Sequence, residues 1–222
     1  MRNWDELITI QSEKIHEQSI NGLVVVLKRN RAVSERLGEA IELMLNNLSI
    51  PELRDGVTYH VVRTDPVQRE WEATFSAINM ISPAVVSLAC QGFYVPAICL
   101  LRQEFEGIAQ LTHILEGTRT TKKAPNIRHL EEKMRQWYPA LSEGAHLSSD
   151  FITSMQAPLF GDSNNLALLP HGSSIFPVFN KQLAVEIMEI HIAIREELIK
   201  RVVEHLERND IKPDSNASPP SN

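Results

Sequence analysis

The chain reads as mainly α, a multi-helix bundle of about six to eight helices with a short irregular or β-hairpin insert. Three observations predict that class. Apolar residues recur at three- and four-residue steps through both ends of the chain. Proline or glycine marks the expected helix ends at Pro66, Pro83, Gly92, Gly117 and Pro139, and the short β-rich run is Val57 to Val62.

From Asn3 to about Leu48, Leu7, Ile10, Ile15, Leu23, Val26, Leu27, Leu37, Ile41 and Leu45 keep helical spacing, with Gly22 dividing or bending the run. Ile50 to Thr64 holds a proline, a glycine and the β-prone run, so an irregular link with a short strand is expected. Asp65-Pro66 is an N-cap with a first-turn proline, predicting a helix to Ile81. Ser82-Pro83 repeats the signal, predicting a kink or a fresh helix that ends near Gly92. Tyr94 to Glu116 is the next helix, closed by Gly117. A basic polar loop precedes a short amphipathic helix over Ile127 to Trp137, and Pro139 opens another turn carrying Leu141, Ser142 and His146. Asp162 to Asn180 is rich in turn residues around LALL and IF runs that suit a small hairpin. Lys181 to Arg208 resumes a helical pattern through Leu183, Ile187, Ile190, Ile194, Leu198, Val202 and Leu206.

With 222 residues and 43% hydrophobic content, a single helical domain over residues 1–208 is expected, followed by a disordered tail over 209–222 biased to Pro, Ser and Asn. The net charge of −6 argues against an extensive nucleic-acid surface, and Lys28 to Arg31 reads as a solvated helix face. Cys90 and Cys99 lack the spacing of a disulfide framework or a zinc knuckle and read as buried thiols of a reducing compartment. The first residues lack a signal-peptide core, and Leu23 to Leu27 is far too short to span a bilayer, so a cytoplasmic protein without a membrane segment is expected.

The most informative stretch is Tyr94 to Glu116, an apolar helix that carries Arg102 and Glu106 one turn apart. Charges are costly in such a setting unless paired, so this pair marks a site, either an i, i+4 structural pair or an anion-binding arginine oriented by the glutamate. On a helical wheel Leu101, Phe105, Ile108, Thr112 and Leu115 form the core stripe, with Arg102, Glu106 and His113 on the adjoining face. Tyr138, Ser142 and His146 share a second face, and His146 against Arg102 or Glu106 would complete a polar cluster able to move a proton near neutral pH. Arg102, Glu106, Tyr138, Ser142 and His146 are therefore the candidate ligand-binding residues. Ser142 lies in no GxSxG elbow, which disfavours a serine nucleophile.

The chain has two ExxH pairs, Glu13 with His16 and Glu143 with His146, and Glu106 followed by Glu143 and His146 matches half of a carboxylate di-metal bundle; the other half fails, because Glu186 and Glu189 of the last helix have no ExxH and Glu13 has no partner helix before it. No metal or cofactor is assigned on this reading. Phosphate-loop signatures are absent. The Arg54 to His60 run has the spacing of the catalytic motif of HEPN-type ribonucleases, although Gly56 and β-prone Val57 to Tyr59 oppose the helical context that motif requires.

Leu101 to Glu106, Trp137 to Ser142, His146 and the long final helix together resemble a set of uncharacterised bacterial all-helical proteins grouped with HEPN-like folds. There an R-x3-E helix precedes a Y-x2-LS-x3-H element; the resemblance covers about Pro83 to Leu206. It implies a shared pocket around Arg102, a stress- or defence-related binding or regulatory role, and a small anionic or nucleotide-like ligand. It also implies a homodimer and, as the alternative, a metal-independent ribonuclease. A metal-dependent bundle enzyme stands behind both.

Overall fold

A computed structural model of the chain describes residues 4–62, 65–119, 124–146, 178–209 and 211. It is a helical bundle with helices α1 (Trp4–Gly22), α2 (Val24–Leu48), α3 (Pro66–Cys90), α4 (Tyr94–Glu116), α5 (Glu132–Arg135), α6 (Tyr138–Ala145) and α7 (Lys181–Arg208). An antiparallel pair, β1 (Ser49–Arg54) and β2 (Val57–Val62), joins α2 to α3, with Ser49 opposite Val62 and Arg54 opposite Val57. Its turn uses Asp55 and Gly56, both at positive φ. The hairpin expected within Asp162 to Asn180, and the tail beyond Arg208 apart from Asn209 and Ile211, lie outside the described residues.

α4 is the central helix: it packs on α3, α6 and α7, while α2 packs on α7. Its buried side Leu101, Phe105, Ile108 and Leu111 meets Trp71, Phe75 and Ile78 of α3 and Ile187, Met188, Ile194 and Leu198 of α7 in one core cluster. Burying such side chains contributes about 1.5–3 kcal/mol each, which is why the helical stripe read from sequence becomes the core.

α3 begins at Asp65, whose carboxylate accepts the Val67 N–H at 3.0 Å, but it does not end or restart at Pro83. The helix runs through to Cys90 with the proline inside it. Pro83 is on the exposed side, where water can replace the hydrogen bond its missing N–H costs, and the buried neighbours Ser82 and Val85 hold the helix on the core. By length and composition α3 could cross a membrane. Its buried residues Trp71, Phe75, Ile78, Ser82, Val85 and Ala89 nevertheless fall on one helical stripe.

Two close approaches fix how α4 is seated. At Gly92 (φ +79) an added Cβ would stand 3.0 Å from the Val178 carbonyl oxygen. Just beyond, the Tyr94 hydroxyl donates to the Asn180 carbonyl (3.2 Å) and accepts the Asn180 N–H (2.8 Å), which joins the start of α4 to the start of α7. Burial pushes that phenol up to about 12. Further along, a Cβ at Gly107 would stand 2.6 Å from Ile78 Cγ1 and 2.8 Å from Cδ1. Gly107→Ala is therefore expected to cost about 1–3 kcal/mol through overpacking, despite the roughly 1 kcal/mol that alanine offers a helix. Urea denaturation checks this, and a gain in stability would mean that α3 and α4 have room to part.

The expected amphipathic helix over Ile127 to Trp137 is replaced by a 3-10 turn, Ile127–His129, and the four-residue α5. Leu130 and Glu131 adopt extended backbone (ψ 152 and 146), so the apolar pattern is met by two short pieces that bury Leu130 and Met134 separately. α6 starts with Pro139 in its first turn and ends with His146 as C-cap, its N–H bonded to the Ser142 carbonyl.

Candidate functional site

Arg102 and Glu106 lie on α4 where it faces α6, and four of the five predicted side chains meet there. Arg102 Nε donates to Glu106 Oε1 at 2.9 Å, and the Tyr138 hydroxyl donates to the same oxygen at 2.9 Å. Arg102 Nη1 reaches His146 Nε2 at 3.0 Å, so that ring nitrogen is the acceptor and the ring proton is on Nδ1. The guanidinium also lies 5.9 Å from the centre of the Tyr138 ring, which packs in turn on Phe105. Ser142, one turn before His146, is half-buried and makes no side-chain hydrogen bond to these four; its carbonyl caps the helix instead.

Desolvation pulls the Arg102 guanidinium down, but the Glu106 carboxylate and Tyr138 together outweigh it, and the net shift is upward. Tyr138 is pushed up as well, first by burial and then by its bond to Glu106. The cation is thus held charged beside a phenol held protonated. The side chains of Arg102 and Glu106 keep 21% and 25% of their exposure, so the pair borders solvent rather than filling the core.

His113, placed by the helical wheel on the same face, takes no part. It lies eleven residues further along α4, about 16 Å away on the helix axis. There its Nδ1 is 2.7 Å from Thr118 Oγ1 and its Nε2 is 3.1 Å from the Asn126 carbonyl oxygen. Its ring meets that of His129 edge to face at 4.9 Å, and Glu116 Oε2 is 3.8 Å from His129 Nδ1. His113, Glu116 and His129 each offer a ligand atom within 4.8 Å of the others. An open cleft of about 410 Å³ lies alongside, lined by Gln110, His113, Thr118, Asn126 and His129 among others.

A third polar grouping has no counterpart in the sequence reading. Glu104 and His191 are both fully buried, with Glu104 Oε2 3.1 Å from His191 Nδ1. Ser82 Oγ is 3.3 Å from His191 Nε2, and Arg195 donates to both, Nη2 to Ser82 Oγ at 2.6 Å and Nε to His191 Nε2 at 3.2 Å. The order carboxylate, imidazole, hydroxyl is that of a nucleophile relay. Two facts oppose that use: Ser82 is only 1% exposed, and the arginine occupies the nitrogen that would take its proton. The grouping locks α3, α4 and α7 together. Burial pulls Arg195 down, with the Glu104 charge opposing. The signal available in the sequence was Glu104 itself, a carboxylate flanked by Leu101, Phe105 and Ile108; its partner His191 is 87 residues away.

The Arg54 to His60 run spans the hairpin turn. Arg54 pairs with Val57 and His60 with Pro51, so the two are three register steps apart on neighbouring strands and do not open a helix. Of the ExxH pairs, Glu13 and His16 are both exposed on α1, and Glu143 and His146 sit at the end of α6 with the histidine engaged by Arg102. Comparison with family models, with curated proteins and with solved structures finds no match to the chain.

Proposed function

From these premises we propose that the chain is a cytoplasmic helical binding module that holds a small anionic ligand, of phosphate or nucleotide class, against Arg102 and His146. The observation that carries the reading is the state of the guanidinium. Glu106 takes its Nε–H and His146 accepts from Nη1, which fixes its plane yet leaves it donors to spare at a partly exposed position. The His146 Nδ1–H adds a further donor without a partner among the described residues. Glu106 pairs with the cation through Oε1, which also accepts from Tyr138 and so acts as the fixed point that orients both, while the guanidinium N–H groups it does not engage are left to donate to a ligand. The likeness of this helix and of the Tyr138 to His146 element to HEPN-like proteins supports a regulatory or defence-related setting.

The test is a thermal-shift series with inorganic phosphate and nucleoside mono-, di- and triphosphates on the wild type and on Arg102→Met. At least one of these anions is expected to raise Tm in the wild type, by about 2.7 kcal/mol of stabilisation at a hundredfold excess over Kd, and to lose that effect in the variant. Absence of any shift, or a shift that survives Arg102→Met, removes the proposal.

A further inference from the structure

We propose that His113, Glu116 and His129 form a binding site for one divalent transition ion of the zinc class, open to the adjoining cleft. Two imidazoles and a carboxylate are a donor set that such ions take readily, and one ligand atom from each residue already lies within 4.8 Å of the other two. Around an ion with bonds of about 2.0–2.2 Å, neighbouring donors stand roughly 3.4 Å apart. Glu116 Oε2 and His129 Nδ1, at 3.8 Å, are too far apart to share a hydrogen bond and close to that spacing.

The buried histidine is oriented in advance. A carbonyl can only accept, so the contact of Nε2 with the Asn126 oxygen puts the ring proton on Nε2 and the free lone pair on Nδ1. That is the outer-shell arrangement of metal-bound histidines, whose second nitrogen donates to a backbone carbonyl or carboxylate. Among the described residues Nδ1 hydrogen-bonds only the Thr118 hydroxyl, a group that turns about one bond and can bond the nitrogen or yield it.

Both supports are anchored in the core. His113 and Glu116, three apart, share a face on the last turn of α4, which the left-handed Gly117 ends at once. His129 is presented by the 3-10 turn whose next residue, Leu130, is buried. Glu116 and His129 are 36% and 37% exposed and can close on an ion by side-chain rotation alone. With three protein ligands and a cleft of about 410 Å³ beside them, the ion would keep an open position for water or a ligand, as catalytic zinc sites do and closed structural ones do not.

The experiment is calorimetric titration of ZnCl2 into the full-length, metal-free chain, with MgCl2 as the hard-ion control. One zinc per chain, no magnesium binding and a rise in Tm are expected. Outer-shell changes already cost about 10–100-fold in metal affinity, so His129→Ala and Glu116→Gln, both at exposed positions, are each expected to weaken zinc by at least about tenfold. Arg102→Met, about 16 Å along the helix, is expected to leave zinc affinity unchanged, which keeps this result separate from that of the anion test. No zinc binding, or binding of equal strength in both His129→Ala and Glu116→Gln, overturns the proposal.

Discussion

His191→Leu is expected to lower the unfolding free energy by about 3–5 kcal/mol, the cost of leaving a buried charge without its partner. In a chain of this size that is a Tm loss of about 6–20 °C. The histidine is the only side chain that meets Glu104 Oε2 among the described residues, and Glu104 Oε1 has no partner there, so the substitution leaves a fully buried carboxylate with no hydrogen bond. Arg195 cannot take over, since it reaches Ser82 and His191 but makes no hydrogen bond to Glu104. The pair Glu104→Met with His191→Leu removes the orphaned charge along with its donor, and Arg195, partly exposed, can turn its head to water. The double variant is therefore expected to be more stable than His191→Leu alone. Urea midpoints for the two singles and the double form the cycle. Additive losses would show that the three helices are not coupled through this group.

His205→Phe is expected to stabilise the protein by about 1–3 kcal/mol at neutral pH, and by more in acid. His205 stacks on Trp71 at 4.1 Å with the planes 8° apart, and neither ring nitrogen has a hydrogen-bond partner among the described residues. Phenylalanine keeps an aromatic ring on the indole and removes both orphaned atoms. The acid term follows from titration. Burial, helped by the Arg208 charge, holds the His205 imidazole down to about 4 from an ordinary 6.5. Between those values the unfolded chain binds a proton that the folded chain refuses, so stability is whole above about 6.5 and drains away as the pH falls towards 4. The full loss is about 3–4 kcal/mol, absent from the variant. Denaturation at several pH values across that window tests it: the gap between the proteins must widen in acid, and parallel curves would mean that His205 reaches water.

The bounds of α4 were legible because a long apolar run ends at a single left-handed glycine, and both signals are local. The meeting of Arg102 and Glu106 with Tyr138 and His146 was legible because spacings of four put each set on one helix face and only one docking was needed to join them. What distance in sequence separates was not. Glu104 finds His191 after 87 residues, and a single glutamate beside Gln103 looks like solvent-facing polarity until the partner helix is known. His113 shared a wheel sector with Arg102, but three turns of helix carried it to another neighbour. The continuity of α3 through Pro83 depended on tertiary contacts that outweigh the local signal for a break, and the fragmentation at Leu130 depended on where Leu130 and Met134 could each find the core.

α4 presents Arg102 and Glu106 to α6, Glu104 to α7, and His113 with Glu116 to the 3-10 turn, so one rod sets the angular phase of three separate groupings. Exchange of one side chain disturbs one of them. A change in length is different in kind: one residue inserted between Glu106 and His113 turns everything beyond it by about 100° and advances it about 1.5 Å, swinging the far histidine away from its neighbours while Arg102 stays in place. Sequences descended from this one will therefore accumulate substitutions along α4 long before they admit a gap in it.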